Sequence, residues 1–117
     1  MQIKIGVDIV YIPKFERSIK RGGKSFLRRI FNESELKSLD IFHLAGIFAV
    51  KEAIMKTSLV PTGEWKIIEV KYKKSGKPFI ALSNTLLLKI QNVDVSISHD
   101  GEYALASALV IFKNKAS

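Results

Sequence analysis

The chain has 117 residues, 47% hydrophobic and 26% charged, which is one domain's worth with the composition of an ordinary globular protein. It contains no cysteine, which excludes disulfides, thiolate metal sites and a cysteine nucleophile, and no apolar run approaches the roughly 20 residues of a membrane span. The net charge of +8 is concentrated: Lys14, Arg17, Lys20, Arg21, Lys24, Arg28 and Arg29 face only Glu16 in the same segment, so this stretch is either a solvated basic helix face or the dock for an acidic partner.

Ile3, Ile5, Val7 and Ile9 alternate with Gln2, Lys4, Gly6 and Asp8, the pattern of a half-buried strand with Asp8 on its polar face. This opening lacks the charged start, long apolar centre and small-residue cleavage site of a signal peptide, which with the missing cysteines predicts a cytoplasmic protein. Pro13 can open a helix over about 14–21, stopped by Gly22-Gly23. Asn32 to Glu35 has capping-box spacing and predicts a short helix. The best helix runs over about 43–58, with Leu44, Ile47, Phe48, Lys51, Met55 and Ser58 as its stripe, and Pro61-Thr62-Gly63 breaks it.

The second half is strand-rich. Ile68, Val70 and Tyr72 alternate with charged residues, Ser75-Gly76-Lys77-Pro78 makes a turn, and Phe79 to Leu82 a short strand. Ser83 can cap a helix over about 84–91. Val93, Val95 and Ile97 alternate with Asp94, Ser96 and Ser98, and Asp100-Gly101 is a strong hairpin signal before Tyr103 to Phe112, whose apolar or small residues on both faces mark a central strand. The expected fold is therefore α+β: a single domain over 1–117, with a mostly antiparallel sheet packed against a long central helix.

Few residues offer chemistry. Aspartate is disfavoured in strands, so Asp8 between Val7 and Ile9 is either an exposed strand residue or a carboxylate awaiting a partner such as a divalent cation. Glu52 and Lys56 lie four apart on one helix face. As an exposed pair they contribute roughly 0.3–0.5 kcal/mol. The apolar residues around them, Phe48 to Val50 and Ala53 to Met55, predict a largely buried helix, in which a carboxylate and an ammonium want ligands. Two hard carboxylates with waters and substrate phosphates are the usual holder of Mg²⁺. His99 ends a strand, as a solvent-facing hairpin residue or a phosphate contact. No P-loop or dinucleotide-binding fingerprint is present. Ser98, His99 and Asp100 cannot form a triad, because neighbours in a strand point apart.

Gly6-Val7-Asp8-Ile9-Val10, Leu44-Ala45-Gly46 running into Phe48-Ala49-Val50-Lys51-Glu52-Ala53, then Lys56, Gly76-Lys77-Pro78, Val95 to His99 and Tyr103-Ala104 together resemble the holo-[acyl-carrier-protein] synthases, the small bacterial 4′-phosphopantetheinyl transferases. The pieces occur in family order over nearly the whole chain. The resemblance implies the 4′-phosphopantetheinyl transferase fold. It implies transfer of the 4′-phosphopantetheine arm of coenzyme A to a serine of apo acyl carrier protein, with adenosine 3′,5′-bisphosphate as the other product, in support of fatty acid biosynthesis. It implies a homotrimer with sites at subunit interfaces, and Mg²⁺ held by Asp8 and Glu52. Lys56 would meet the coenzyme A phosphates, with Thr62, Gly63, Lys77, Pro78, Ser98 and His99 as further coenzyme A-binding residues. Asp8, Glu52 and Lys56 form the implied catalytic set, and the serine's proton goes to Glu52 or to a water beside Asp8. Lys14, Arg17, Arg21 and Arg29 would form the face that docks the acidic carrier protein. The chain departs from the family pattern at Ile47, where an arginine is common, in Asp40-Ile41-Phe42-His43, where basic residues are frequent, and in Val60-Pro61-Thr62-Gly63, where the family usually has Gly-Thr-Gly.

Two other readings stand beside this one. A small nucleic-acid-binding module would use the basic segment, but only Phe15 and Phe26 interleave it and no recognition signature is present. A non-catalytic scaffold would gain nothing from keeping Asp8, Glu52 and Lys56 together. The sequence therefore favours an enzyme with protein and coenzyme partners over one acting on nucleic acid or membrane.

Overall fold

The computed structural model describes residues 1–114. The order is β1 (Gln2–Tyr11), α1 (Ile12–Ile30), a 3₁₀ turn (Glu35–Lys37), α2 (Ile41–Lys56), a second 3₁₀ turn (Trp65–Ile67), β2 (Glu69–Tyr72), β3 (Pro78–Ala81), α3 (Asn84–Leu87), β4 (Ile90–Asp100) and β5 (Tyr103–Phe112). The fold is α+β, with a fully antiparallel sheet in the order β1-β5-β4 and a separate β2-β3 hairpin. As its composition predicts, β5 is the central strand. No helix among the described residues is long and apolar enough to cross a membrane.

Helix α2 lies on one face of the sheet. It is apolar nearly all round, with Ala45, Ile47, Ala49, Val50, Ala53 and Ile54 wholly buried. The Asp40 carboxylate caps it by accepting from the His43 backbone N–H at 3.0 Å. The sheet meets it with small residues: Ala104, Ala106 and Ala108 of β5 are buried, and Gly6 of β1 touches the helix backbone. A Cβ added to Gly6 would sit 1.9 Å from the Ala53 carbonyl oxygen. Gly46 plays the matching part on the helix, where an added Cβ would meet Ile97 at 3.2 Å and His99 at 3.4 Å.

This packing reverses the expectation for β1. Its small and polar set, Gly6, Asp8 and Val10, faces the helix, whereas Ile3, Ile5, Val7 and Ile9 are 54%, 70%, 51% and 59% exposed. The register places Leu105 opposite Ile9 and Leu109 opposite Ile5, so the outer face of the sheet is an apolar surface in the protomer. Alternation located the two faces; it could not say which one the helix covers, because a glycine that permits close approach scores as non-apolar.

Other differences have local causes. Only Gly23 leaves helical geometry (φ 59, ψ −147), which glycine tolerates. The chain then resumes as helix to Ile30, because Phe26, Leu27 and Ile30 pack on the core. The predicted helix over 84–91 shrinks to Asn84–Leu87, since the strand begins at Ile90; Ser83 caps it as expected, accepting from the Leu86 N–H. Ser58 falls beyond α2 at φ 68.

Half of the predicted capping box forms, for a purpose its spacing does not show. Glu35 accepts from the Asn32 N–H at 2.7 Å and from the Val70 N–H at 2.8 Å. It also binds Lys51 Nζ at 2.7 Å, with both side chains fully buried. Lys51 donates in addition to the Ile30 carbonyl at 2.7 Å. One buried ion pair thereby ties α1, α2 and β2 together. Burial lowers the pKa of Lys51, and the bonds from Glu35 oppose that shift.

Two substitutions test these contacts by urea denaturation. Gly6→Ala should cost about 3 kcal/mol or more, since the clash is with backbone that no rotamer change can relieve. Lys51→Ala should cost about 3–5 kcal/mol by leaving Glu35 buried without its counter-ion.

Candidate functional site

The close approach at Gly6 sets the site. Two residues further along the same face of β1, Asp8 meets the C-terminal half of α2, opposite Ala106 of β5. Lys56 Nζ donates to the Val7 carbonyl at 2.8 Å and to Asp8 Oδ1 at 3.2 Å. The Lys56 side chain is 53% exposed and that of Asp8 16%. The ammonium's carboxylate partner is therefore Asp8 rather than Glu52, and Lys56, expected on a largely buried helix face, leans across to the strand at the protein surface.

Glu52 is half-buried beside them. Burial raises its pKa above the usual carboxylate value, the Asp8 charge raises it further, and Lys56 partly offsets this. Asp8 and Glu52 line one cavity of about 440 Å³, with Phe15, Phe26 and Phe48 as its apolar lining and Tyr11 and Lys14 also bordering it. The stack Phe15–Phe48–Trp65, with ring centroids 5.0 and 5.2 Å apart, holds α1 against α2 there. Sequence reasoning missed Tyr11 and Phe48 as cavity residues; the signal available was the short spacing from Asp8 and Glu52.

The donor set fits a hard cation. Two carboxylates converge on one cavity, and their mutual repulsion is what a divalent ion would relieve. Among the described residues no cluster of three or more His, Cys, Asp or Glu exists, so the protein offers a partial shell, of the kind Mg²⁺ completes with water and phosphate oxygens.

The remaining predicted residues gather elsewhere. Gly76, Pro78 and His99 line a second cavity of about 270 Å³ together with His43, Tyr72 and Ile97. His99 Nε2 lies 3.0 Å from the Phe42 carbonyl and donates to it. This cavity lies beside β4, whereas Asp8 is on β1 with β5 between them, about 10 Å across the sheet at the usual strand spacing. Lys77 does not join Pro78 in the cavity. Its ammonium binds Asp94 Oδ1 at 3.0 Å, holding that carboxyl below its ordinary pKa, and it borders a groove with the outward-facing Ile5, Val7 and Leu109. Ser98 pairs with Leu105 on the outer face, opposite to His99. Thr62 and Gly63 are exposed in the loop after α2 and line neither cavity. Ile47 is wholly buried.

Lys14, Arg17, Lys20, Arg21, Lys24, Arg28 and Arg29 are all exposed on α1. Lys14 borders the carboxylate cavity, Arg21 a shallower one with Ser18, Gly22 and Phe26, and the Arg29 guanidinium lies 5.8 Å from the Phe26 ring centroid. The basic surface thus runs outward from the edge of the carboxylate cavity.

A family model for the 4′-phosphopantetheinyl transferase superfamily matches residues 4–108. The chain is 39% identical over 121 residues to the holo-[acyl-carrier-protein] synthase of Helicobacter pylori (strain ATCC 700392 / 26695), covering 95% of this chain and 99% of that one. It is similar to the crystal structure of the Helicobacter pylori holo-[acyl-carrier-protein] synthase in complex with coenzyme A, with a TM-score of 0.79 and 34% identity over 93% of this chain and 99% of that one. It is also similar to the corresponding enzyme of Neisseria meningitidis, with a TM-score of 0.81 and 28% identity over 92% and 96% of the two chains.

The raised pKa of Glu52 makes a stability prediction. A carboxyl whose pKa is higher folded than unfolded stabilises the fold at acid pH, and this contribution is lost as pH rises from about 4.5, its ordinary value, through the raised one. In the presence of a chelator, Glu52→Gln should therefore melt higher than the unaltered chain at neutral pH. Millimolar Mg²⁺ should raise the melting temperature of the unaltered chain but not that of the variant.

Proposed function

Because this chain belongs to the 4′-phosphopantetheinyl transferase superfamily, we propose that it is a holo-[acyl-carrier-protein] synthase, transferring 4′-phosphopantetheine from coenzyme A to a serine of apo acyl carrier protein. The observation that carries the reading is the convergence of Asp8, Glu52 and Lys56 on one edge of α2, beside a cavity that the basic surface of α1 borders. The relatives at 35–39% identity bear this activity in their names, and the nucleic-acid reading finds no support among them. We take residues 1–117 as one transferase domain, working in the cytoplasm.

In the reaction the serine oxygen attacks the pantetheine-side phosphorus of the diphosphate. The bond from that phosphorus to the bridging oxygen breaks, and adenosine 3′,5′-bisphosphate leaves with the electron pair. Asp8 and Glu52 would hold Mg²⁺, which when bound neutralises charge on the diphosphate. Lys56 is half exposed at the end of a helix and is placed to leave Asp8 for a phosphate oxygen. The serine's proton leaves toward Glu52 or toward a water beside Asp8. Lys14, Arg17, Arg21 and Arg29 form the carrier-protein dock, raising the encounter rate by charge complementarity.

The assembly is a homotrimer with sites shared between copies. Two features support it: the exposed apolar face of Ile3, Ile5, Val7, Ile9, Leu105 and Leu109, which exceeds scattered surface apolarity, and the separation of the cavity lined by Asp8 and Glu52 from the one lined by Pro78 and His99.

Mixing the protein with Mg²⁺, coenzyme A and an apo acyl carrier protein should add a phosphopantetheine to the carrier's mass. Glu52→Gln should abolish the transfer while keeping the fold. Arg17→Glu with Arg21→Glu should raise KM for the carrier at least about tenfold at low salt, with KM for coenzyme A unmoved. Near-normal transfer without Glu52 would refute the site.

A further inference from the structure

Helix α1 carries its basic surface on two segments. At Gly23 the backbone turns to φ 59, ψ −147, a conformation that glycine alone adopts readily. The corner is open, since a Cβ added to Gly23 would meet nothing within 4 Å. The segment before it is anchored by Ile12 and Phe15, both buried. The segment after it runs to Ile30 and exposes Lys24, Arg28 and Arg29. Helical continuity is broken between the two, so the direction of the second segment is set by whatever holds its far end.

That end is held by polar bonds. The Ile30 carbonyl accepts from Lys51 Nζ at 2.7 Å. The same ammonium binds Glu35 Oε1 at 2.7 Å, with both side chains fully buried, and lies 5.5 Å from the centroid of the Phe31 ring. Glu35 is fixed in turn by the backbone N–H groups of Asn32 and Val70, at 2.7 and 2.8 Å. Phe26, Leu27 and Ile30 also pack on the core, but apolar contact is non-directional and lets a short helix roll. A buried ammonium with fixed acceptors does not. Lys51 adjoins Glu52 in α2, so its bond to Ile30 sets the second segment against the helix that carries the carboxylate. Buried ion pairs often give no more stability than apolar packing, and their best-attested use is to fix register.

On the reading that an acidic carrier protein is the partner, we propose that Lys51, with Glu35, is a positioning residue for carrier docking. By holding the Ile30 carbonyl it directs the segment after Gly23, and with it Arg28 and Arg29, relative to Glu52. It touches no substrate and acts through those arginines.

The test is a double-mutant cycle in the transfer assay. Lys51→Met with Glu35→Gln removes the ammonium without leaving a buried charge unpaired. This double variant should raise KM for apo acyl carrier protein about fivefold and leave KM for coenzyme A within about twofold. In the unaltered chain, Arg28→Ala with Arg29→Ala should also raise the carrier KM about fivefold. In the double variant the same two substitutions should add less than about twofold, because the arginines are no longer held toward the carrier. Arg17→Glu with Arg21→Glu, before the corner, should keep its full effect in both backgrounds. General loosening of the fold would move both KM values and blunt both arginine pairs alike. An undiminished effect of Arg28 and Arg29 in the double variant, or an equal rise in KM for both substrates, overturns the assignment. Should the double variant not fold, a glycine inserted after Gly23 gives an independent reading. With direction set at Ile30, the carrier KM stays within about twofold, and a larger rise places the control at the corner and overturns the assignment. Absence of transfer by the unaltered protein would instead overturn the activity on which the proposal rests, so the two failures are distinct.

Discussion

The contact between Gly6 and the carbonyl of Ala53 is the constraint on which the rest of the structure depends. With no side chain between them, strand β1 lies directly on the backbone of α2. That brings Asp8 within charge range of Glu52 and within hydrogen-bond distance of Lys56. Any larger residue at position 6 would lift the strand and separate groups whose chemistry needs them within a few ångströms. The alanines of β5 serve the same end one strand over, and Gly46 lets β4 approach the other half of the helix.

Close packing on one face leaves the other face of the sheet to something else. The residues that would ordinarily cover a helix, Ile3, Ile5, Val7 and Ile9, point outward. Placing the isoleucines outside is costly in an isolated protomer, roughly 25 cal/mol for each Å² of apolar surface left wet. The cost disappears if copies of the chain meet there. On the covered face, Asp8 of β1 and His99 of β4 lie at opposite edges of the same sheet, with β5 between them.

Much of this was legible in the sequence. The antiparallel order, the central position of β5 and the helix over α2 followed from periodicity and turn signals, and Asp8, Glu52 and Lys56 were singled out by spacing together with resemblance. What escaped was information that one-dimensional pattern does not carry. Gly6 reads as a polar-face residue in a strand, yet it is the point of closest packing. Lys51 reads as one charged residue in an apolar stripe, and its partner Glu35 reads as a capping residue; only the fold brings them to 2.7 Å. Lys77 reads as part of a turn beside a binding pocket, and its ammonium goes to Asp94 instead. In each case the missing term is a long-range contact, which sequence spacing cannot report.

The charges around Asp8 illustrate why the site awaits its ligands. Two carboxylates face a single half-exposed ammonium, so the protomer carries an excess of negative charge at this edge. The raised pKa of Glu52 and the ion pair between Asp8 and Lys56 both follow from this geometry. A divalent cation held by Asp8 and Glu52 would relieve the same repulsion and would leave Lys56 free for a phosphate oxygen. The same few ångströms that set the two carboxylates against each other would therefore couple the binding of a cation to the binding of a phosphate at this edge of α2.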